Sequence, residues 1–241
     1  MLLLITGASG VGKSTVRAIV APELSPAVEC VELLELTPLP EAMTRVWRQQ
    51  AAEAAVRRAV ELQASGRHLL LAGDPVPAAE IVAAPSAPEL DAIAACLLDA
   101  TPEAQAERLT ARGDHRALLP HHQAFAEWMR RQASDPLHMT HVVSDAGREQ
   151  MRWERLEQMA PQWCMHTIDT THMTRREAAD AVLDWCRRAL TGDAPALRFT
   201  RVCAAPTNRF YCTPEPSSRA AERCSSRVML VAGRSQMLSE C

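Results

Sequence analysis

One segment, Gly7-Ala8-Ser9-Gly10-Val11-Gly12-Lys13-Ser14-Thr15, constrains the fold of this chain more than any other. The apolar run Leu2-Leu3-Leu4-Ile5 precedes it and reads as a buried parallel strand. Ser14 to Val20 follow it and read as a helix ended by Pro22. The spacing is a full G-x-x-x-x-G-K-S/T match, and it sits in the strand, turn, helix context that gives such a match meaning. Gly7, Gly10 and Gly12 admit backbone angles that other residues avoid, which lets the chain approach an anion closely. The N–H groups of the turn and of the helix N-terminus then point at one place, where a phosphate would sit. In that arrangement residues Gly7, Ala8, Ser9, Gly10, Val11, Gly12, Lys13, Ser14 and Thr15 cradle a nucleotide. Lys13 reaches its β- and γ-phosphates, and the Ser14 hydroxyl ligates Mg²⁺.

Composition reinforces the reading at one position. Lys13 is the single lysine among 26 lysine and arginine residues. Arginine replaces lysine acceptably on a solvated surface. Its planar guanidinium is too wide where a compact ammonium must enter a crowded cradle.

The rest of the chain alternates strand and helix patterns. Ala27 to Leu36 is β-like. Glu41 to Ser65 reads as a long helix stopped by Gly66, with Met43, Val46, Trp47 and Ala54 at helical spacing. His68 to Asp74 reads as a buried strand ending in an acid, and Ala92 to Leu98 as another, ending at Asp99. Helices are expected over Thr101 to Arg112 and His121 to Ala133. His166 to Asp169 is the last strand, and Thr174-Arg175-Arg176-Glu177 is a capping box opening a helix to Leu190. Alternation with apolar strands predicts an α/β fold, a parallel sheet with helices on both faces. Ligands then bind beyond the carboxyl ends of the strands.

Beyond Gly192 the pattern changes. The stretch carries seven arginines and four acids, several prolines and little periodicity. It reads as an extension outside the core, poorly ordered, with an arginine-rich interaction tail as the alternative to no role. The domain reading is therefore 1–191 for the folded unit and 192–241 for the extension. A net charge of −3 argues against a globally basic nucleic-acid binder. The eight cysteines are scattered and form no C-x-x-C, so no zinc site or redox pair is expected. No run approaches membrane-spanning length and no leader is legible, which predicts a cytoplasmic protein with reduced thiols.

Finer motifs narrow the class. The loop has the form G-x-x-G-x-G-K-S-T, and GTPase-like N-K-x-D and D-x-x-G are absent. Glu107-Arg108-Leu109-Thr110-Ala111-Arg112-Gly113-Asp114 looks like the R-x-x-x-R-G-D segment where small-molecule and nucleotide kinases begin a lid. Ile168-Asp169-Thr170-Thr171 is similar to the late segment near the adenine in that group. Over roughly residues 1–190 the chain resembles adenylate kinase-like, shikimate/gluconate kinase-like and chloramphenicol phosphotransferase-like P-loop NTPases. Such proteins often carry the label AAA-family ATPase, but no arginine-finger and sensor arrangement of a true AAA+ machine is legible. The resemblance implies a three-layer P-loop NTPase fold with a helical lid over about 112–134, and ATP and Mg²⁺ as ligands.

Phosphoryl transfer needs positioning and charge compensation. Arg108 and Arg112, with Arg116, Arg130 or Arg131 behind them, suit charge delivery from a lid. On a solvated helix face Arg108 and Arg112 would instead form ion pairs with Glu103 and Glu107. A carboxylate at a strand end would orient the acceptor hydroxyl. Glu32, Glu35 and Asp74 are the three candidates, and Asp74, in a Walker B-like run, could also hold Mg²⁺. Asp99 and Asp169 read as turn or capping residues. Arg45, Trp47 and Arg48 lie on the helix expected to border the acceptor pocket. The function expected is a kinase acting on a small-molecule hydroxyl or phosphate. The alternative is a nucleotide-hydrolysing regulatory or binding ATPase without such an acceptor. The acceptor's identity and the oligomeric state are not written in the sequence.

Overall fold

The computed structural model describes residues 1–199 except Leu39 and Asp74. Five strands, β1 (Leu2–Thr6), β2 (Val28–Val31), β3 (His68–Leu71), β4 (Ile93–Asp99) and β5 (His166–Asp169), form one sheet in the order β2-β3-β1-β4-β5. All four pairings are parallel. Successive side chains of a strand point to opposite faces, and β1 shows the consequence. Leu2 and Leu4 join a core with β3 and the helix α3 (Arg45–Ala64). Leu3 and Ile5 join a second core with α1 (Lys13–Leu24) and α9 (Arg175–Thr191). The sheet is thus covered on both faces, as predicted, because its strands are apolar on both sides.

The connections fix where a ligand can bind. From β1 the chain moves outward to β2, whereas from β4 it moves the other way to β5. Adjacent strands whose connections diverge leave a crevice at their carboxyl ends. The glycine-rich turn after β1 and the turn after β4 open into it.

Several element bounds differ from the sequence reading. α1 continues through Pro22 to Leu24. A proline in the last turn forfeits one backbone bond, which packing of Val16, Val20 and Leu24 outweighs. The region read as β-like over Ala27 to Leu36 divides into β2 and a one-turn helix, α2 (Leu33–Leu36). α3 begins only at Arg45, where Thr44 caps it by accepting from the Trp47 N–H. Its buried face is Ala51, Ala52, Ala55, Val56, Ala59 and Leu62, while Met43 and Val46 are exposed. Alanine is only weakly apolar, so its stripe gave little signal, yet it lets helix and sheet approach closely. Trp47 packs against the core edge and donates to the Pro38 carbonyl at 3.2 Å.

A short buried helix after β3, α4 (Ala78–Ala83), had no sequence signal. α5 (Pro102–Arg112) and α6 (Leu119–Ser134) follow β4. α6 covers the segment expected as a lid, and its Ala126, Trp128 and Met129 pack with Ala8 and Leu97. Two short helices, α7 (His141–Ser144) and α8 (Arg155–Met159), lead to β5. The fold also continues past Gly192. Leu197 is buried and exchanges two backbone hydrogen bonds with Ile93, at 2.9 and 2.8 Å. The remainder of the extension, from residue 200, lies outside the described residues. Among the described residues no helix is long and apolar enough to cross a membrane.

Candidate functional site

A cavity of about 960 Å³ opens at the carboxyl edge of β1 and β4, within the roughly 300–1,000 Å³ of small-molecule sites. Ser9 to Thr15 line it continuously. Gly7 and Ala8 stand behind them and serve differently. Lys13 is 4% exposed, and its ammonium donates to both the Gly7 and Ala8 carbonyls at 2.8 Å. Gly7 has φ +139°, and a Cβ there would lie 2.3 Å from the Leu98 carbonyl oxygen. Only glycine lets the turn pass so close to the end of β4.

The turn is tied from outside by residues that sequence reasoning did not single out. Gln105 of α5 is buried and donates its amide to the Ser9 carbonyl at 2.8 Å. Thr170, which sequence reasoning placed near the base by resemblance alone, proves to be a joint. Its hydroxyl lies 3.2 Å from the Val11 carbonyl and 2.9 Å from that of Asp99. Arg108 donates to that same hydroxyl at 3.0 Å and to the Thr170 carbonyl at 2.6 Å. One threonine thus links the phosphate-type turn, the ends of β4 and β5, and α5. Met173, Thr174 and Arg175 at the start of α9 complete that wall.

The expected arginines divide. Arg108 and Arg112 both line the cavity. Arg108 is fixed by the Thr170–Thr171 carbonyls. Arg112 is 58% exposed and forks onto Asp114 at 3.0 and 2.5 Å. That hydrogen-bonded pairing holds the Asp114 carboxyl below the usual range. Arg130 binds Asp99 at 2.8 Å and Arg131 binds Glu127 at 2.8 Å. Neither lines the cavity, and Arg116 is exposed outside it.

The acids divide too. Glu32 lines the cavity, and Glu35 does not. Glu35 turns back to accept from the Glu32 N–H at 3.2 Å, closing the first turn of α2. Arg17, one helical turn beyond Lys13, joins both, at 3.2 Å to Glu32 and 3.3 Å to Glu35. Gly73, φ +107°, brings the end of β3 against Glu32: a Cβ there would fall 2.6 Å from the Glu32 Cδ. Asp74, the third candidate, lies outside the described residues. Asp169 is a turn residue, its carboxylate accepting from the Thr171 N–H at 2.9 Å and hydroxyl at 2.5 Å. These bonds lower its pKa.

Among the described residues no group of three or more His, Cys, Asp or Glu could hold a metal. The expected Mg²⁺ differs from such a site, since Ser14 and nucleotide oxygens would supply most of its ligands. Ser14 is exposed to the cavity at the start of α1, and so fits that role.

Neither the protein-family models nor the curated proteins compared with the chain match it. Solved structures do. One is a sugar kinase from a Janibacter species, with TM-score 0.51 and 16% identity, covering 80% of this chain and 98% of that one. Another is a candidate kinase from Chloroflexus aurantiacus, with TM-score 0.43 and 16% identity, covering 80% and 97%. At such identity the first likeness is one of fold, a parallel α/β sheet flanked by helices. That is the class the element order and the pairings define here.

Proposed function

We propose that this protein is a P-loop kinase that transfers the γ-phosphate of ATP to a hydroxyl or phosphate of a small molecule. The observation that carries the reading is the buried Lys13 ammonium, held on the Gly7 and Ala8 carbonyls at the floor of the cavity. The backbone N–H groups of the turn, with the N-terminus of α1, bind the phosphates. Lys13 compensates charge at the bridging and terminal phosphates. Mg²⁺, on Ser14 and the nucleotide, would neutralise charge developing between β- and γ-phosphates. Arg108 and Thr170 form the wall on the base side, and Arg112 stands at the rim to bring charge to the transferred group. Release of Arg112 from Asp114 would precede that contact.

Glu32 is the acid we assign to the acceptor hydroxyl. It is the carboxylate that lines the cavity among the described residues, and Arg17 orients it. Its role is to align the hydroxyl and accept its proton. Asp74, outside the described residues, is proposed from its Walker B-like sequence run as a Mg²⁺ ligand.

The test is acceptor-stimulated ADP release across nucleosides, nucleotides, sugars and aminocyclitols, confirmed by mass spectrometry of the product. Lys13→Ala is expected to lower the rate by at least about a hundredfold. A Lys13→Ala protein transferring phosphate at the parent rate refutes the assignment. Basal hydrolysis that no acceptor raises favours the regulatory ATPase instead.

A further inference from the structure

The glycine-rich turn binds an anion only where its N–H groups face the cavity, and the C=O and N–H of a trans peptide point in opposite directions. A group that draws a carbonyl of the turn away from the cavity therefore turns the next residue's N–H toward it. Gln105 of α5 does this at one peptide. It is 1% exposed and donates its Nε2 to the Ser9 carbonyl at 2.8 Å. Ser9 and Gly10 line the cavity and Gln105 does not, so the bond pulls that carbonyl outward. The N–H of the same peptide belongs to Gly10. It has no hydrogen-bond partner among the described residues.

The seating of α5 on the turn permits this bond. Gln105 and Leu109, one helical turn apart, share a face. A Cβ at Gly10, φ +87°, would fall 3.0 Å from the Leu109 Cγ and 3.4 Å from the Gln105 Cγ. Glycine there lets the helix sit directly on the turn. The Gln105 Nε2 also lies 3.5 Å from the His122 carbonyl, near the start of α6. Both neighbours of that nitrogen are carbonyls, which fixes the end of the amide that faces the turn.

Stability does not account for the amide. Its Oε1 is buried and has no hydrogen-bond partner among the described residues. The bond gained at Nε2 is offset by the acceptor stranded at Oε1. An apolar side chain of the same length would pack as well. What the amide adds is a donor aimed at the Ser9 carbonyl.

We infer that Gln105 is a positioning residue of the phosphate site: by holding the Ser9 carbonyl it keeps the Gly10 N–H aimed at the bound phosphates. This deepens the nucleotide reading above, on which the word phosphate rests. Gln105 touches no ligand itself and acts through the Ser9–Gly10 peptide. An N–H already oriented meets an oxyanion with no rearrangement of the backbone.

Two variants test the role. Gln105→Met keeps the length and removes the donor. Gln105→Glu keeps the shape and sets a carboxylate against the Ser9 carbonyl. Circular dichroism and thermal melting establish whether each is folded. Parent and variants are titrated calorimetrically with pyrophosphate and Mg²⁺, with a non-hydrolysable ATP analogue, and with adenosine. Pyrophosphate and the analogue should bind the folded variants at least tenfold more weakly, with adenosine binding as in the parent. A folded variant that binds pyrophosphate like the parent overturns the inference. So does an equal loss for adenosine, which displacement of α5 with its Arg108 would produce. Failure of both variants to fold assigns Gln105 to stability and overturns it too. Acceptor assays separate the inference from the kinase reading. Gln105-dependent pyrophosphate binding with no acceptor-stimulated ADP release keeps the positioning role and overturns the kinase. Acceptor-stimulated release with nucleotide affinity equal in parent and variants keeps the kinase and overturns the positioning role.

Discussion

Replacing Gly73 by alanine tests the junction of β3 with the candidate acid. Gly73 has φ +107°, and an added Cβ would lie 2.6, 2.7 and 2.9 Å from the Glu32 Cδ, Cγ and Oε1. Two costs follow. An L-residue held in a left-handed region costs roughly 1–2 kcal/mol. The overlap also expels the Glu32 carboxylate from its place beside Arg17, 3.2 Å away. Losing that charged, half-buried hydrogen bond adds about 1 kcal/mol. The sum is on the order of 2–3 kcal/mol, which for a fold of about 200 residues lowers Tm by roughly 4–12 °C. The functional consequence is separate. A carboxylate forced into another rotamer no longer faces the acceptor, so acceptor-dependent ADP release should fall by about a hundredfold. Nucleotide-analogue affinity should change little, because the atoms nearest an added Cβ at Gly73 all belong to Glu32 and not to the glycine-rich turn. Calorimetric melting and steady-state ADP release read the two effects independently. A Gly73→Ala protein melting within about 1 °C of the parent refutes the packing argument. A lower Tm with undiminished acceptor-dependent rate refutes the role given to Glu32.

Two further outcomes follow from the same geometry. Thr170→Val keeps the shape but removes the hydroxyl shared by Val11, Asp99 and Arg108; urea unfolding should show a loss of about 1–3 kcal/mol, and an unchanged midpoint would show that the joint contributes nothing. His166 binds its proton less tightly in the fold, through burial first and then Arg188. The unfolded chain therefore takes up more protons, and stability should drop as pH falls through about 6.5 toward the lower folded value. His68 and His122 are shifted in the same direction. Tm measured against pH should decline on acidification, with a shallower slope for His166→Asn; a steeper slope in the variant contradicts the sign.

The sequence determined what is local in the chain. The strand, turn and helix around Lys13 follow from residues within twenty positions of one another, and so did the capping box at Thr174, whose hydroxyl accepts from the Glu177 N–H. The parallel sheet was legible because strands buried on both faces must be apolar throughout. Tertiary structure decided which charged side chain does what. Glu32 and Glu35 are alike in sequence, and only the approach of Gly73 and the position of Arg17 send one into the cavity and the other back to cap α2. Thr170 meets Val11 across 159 residues, and Gln105 meets Ser9 across 96. No short-range pattern encodes such contacts. They exist because the sheet brings the carboxyl ends of β1, β4 and β5 together, and there a single hydroxyl or amide can serve three segments at once.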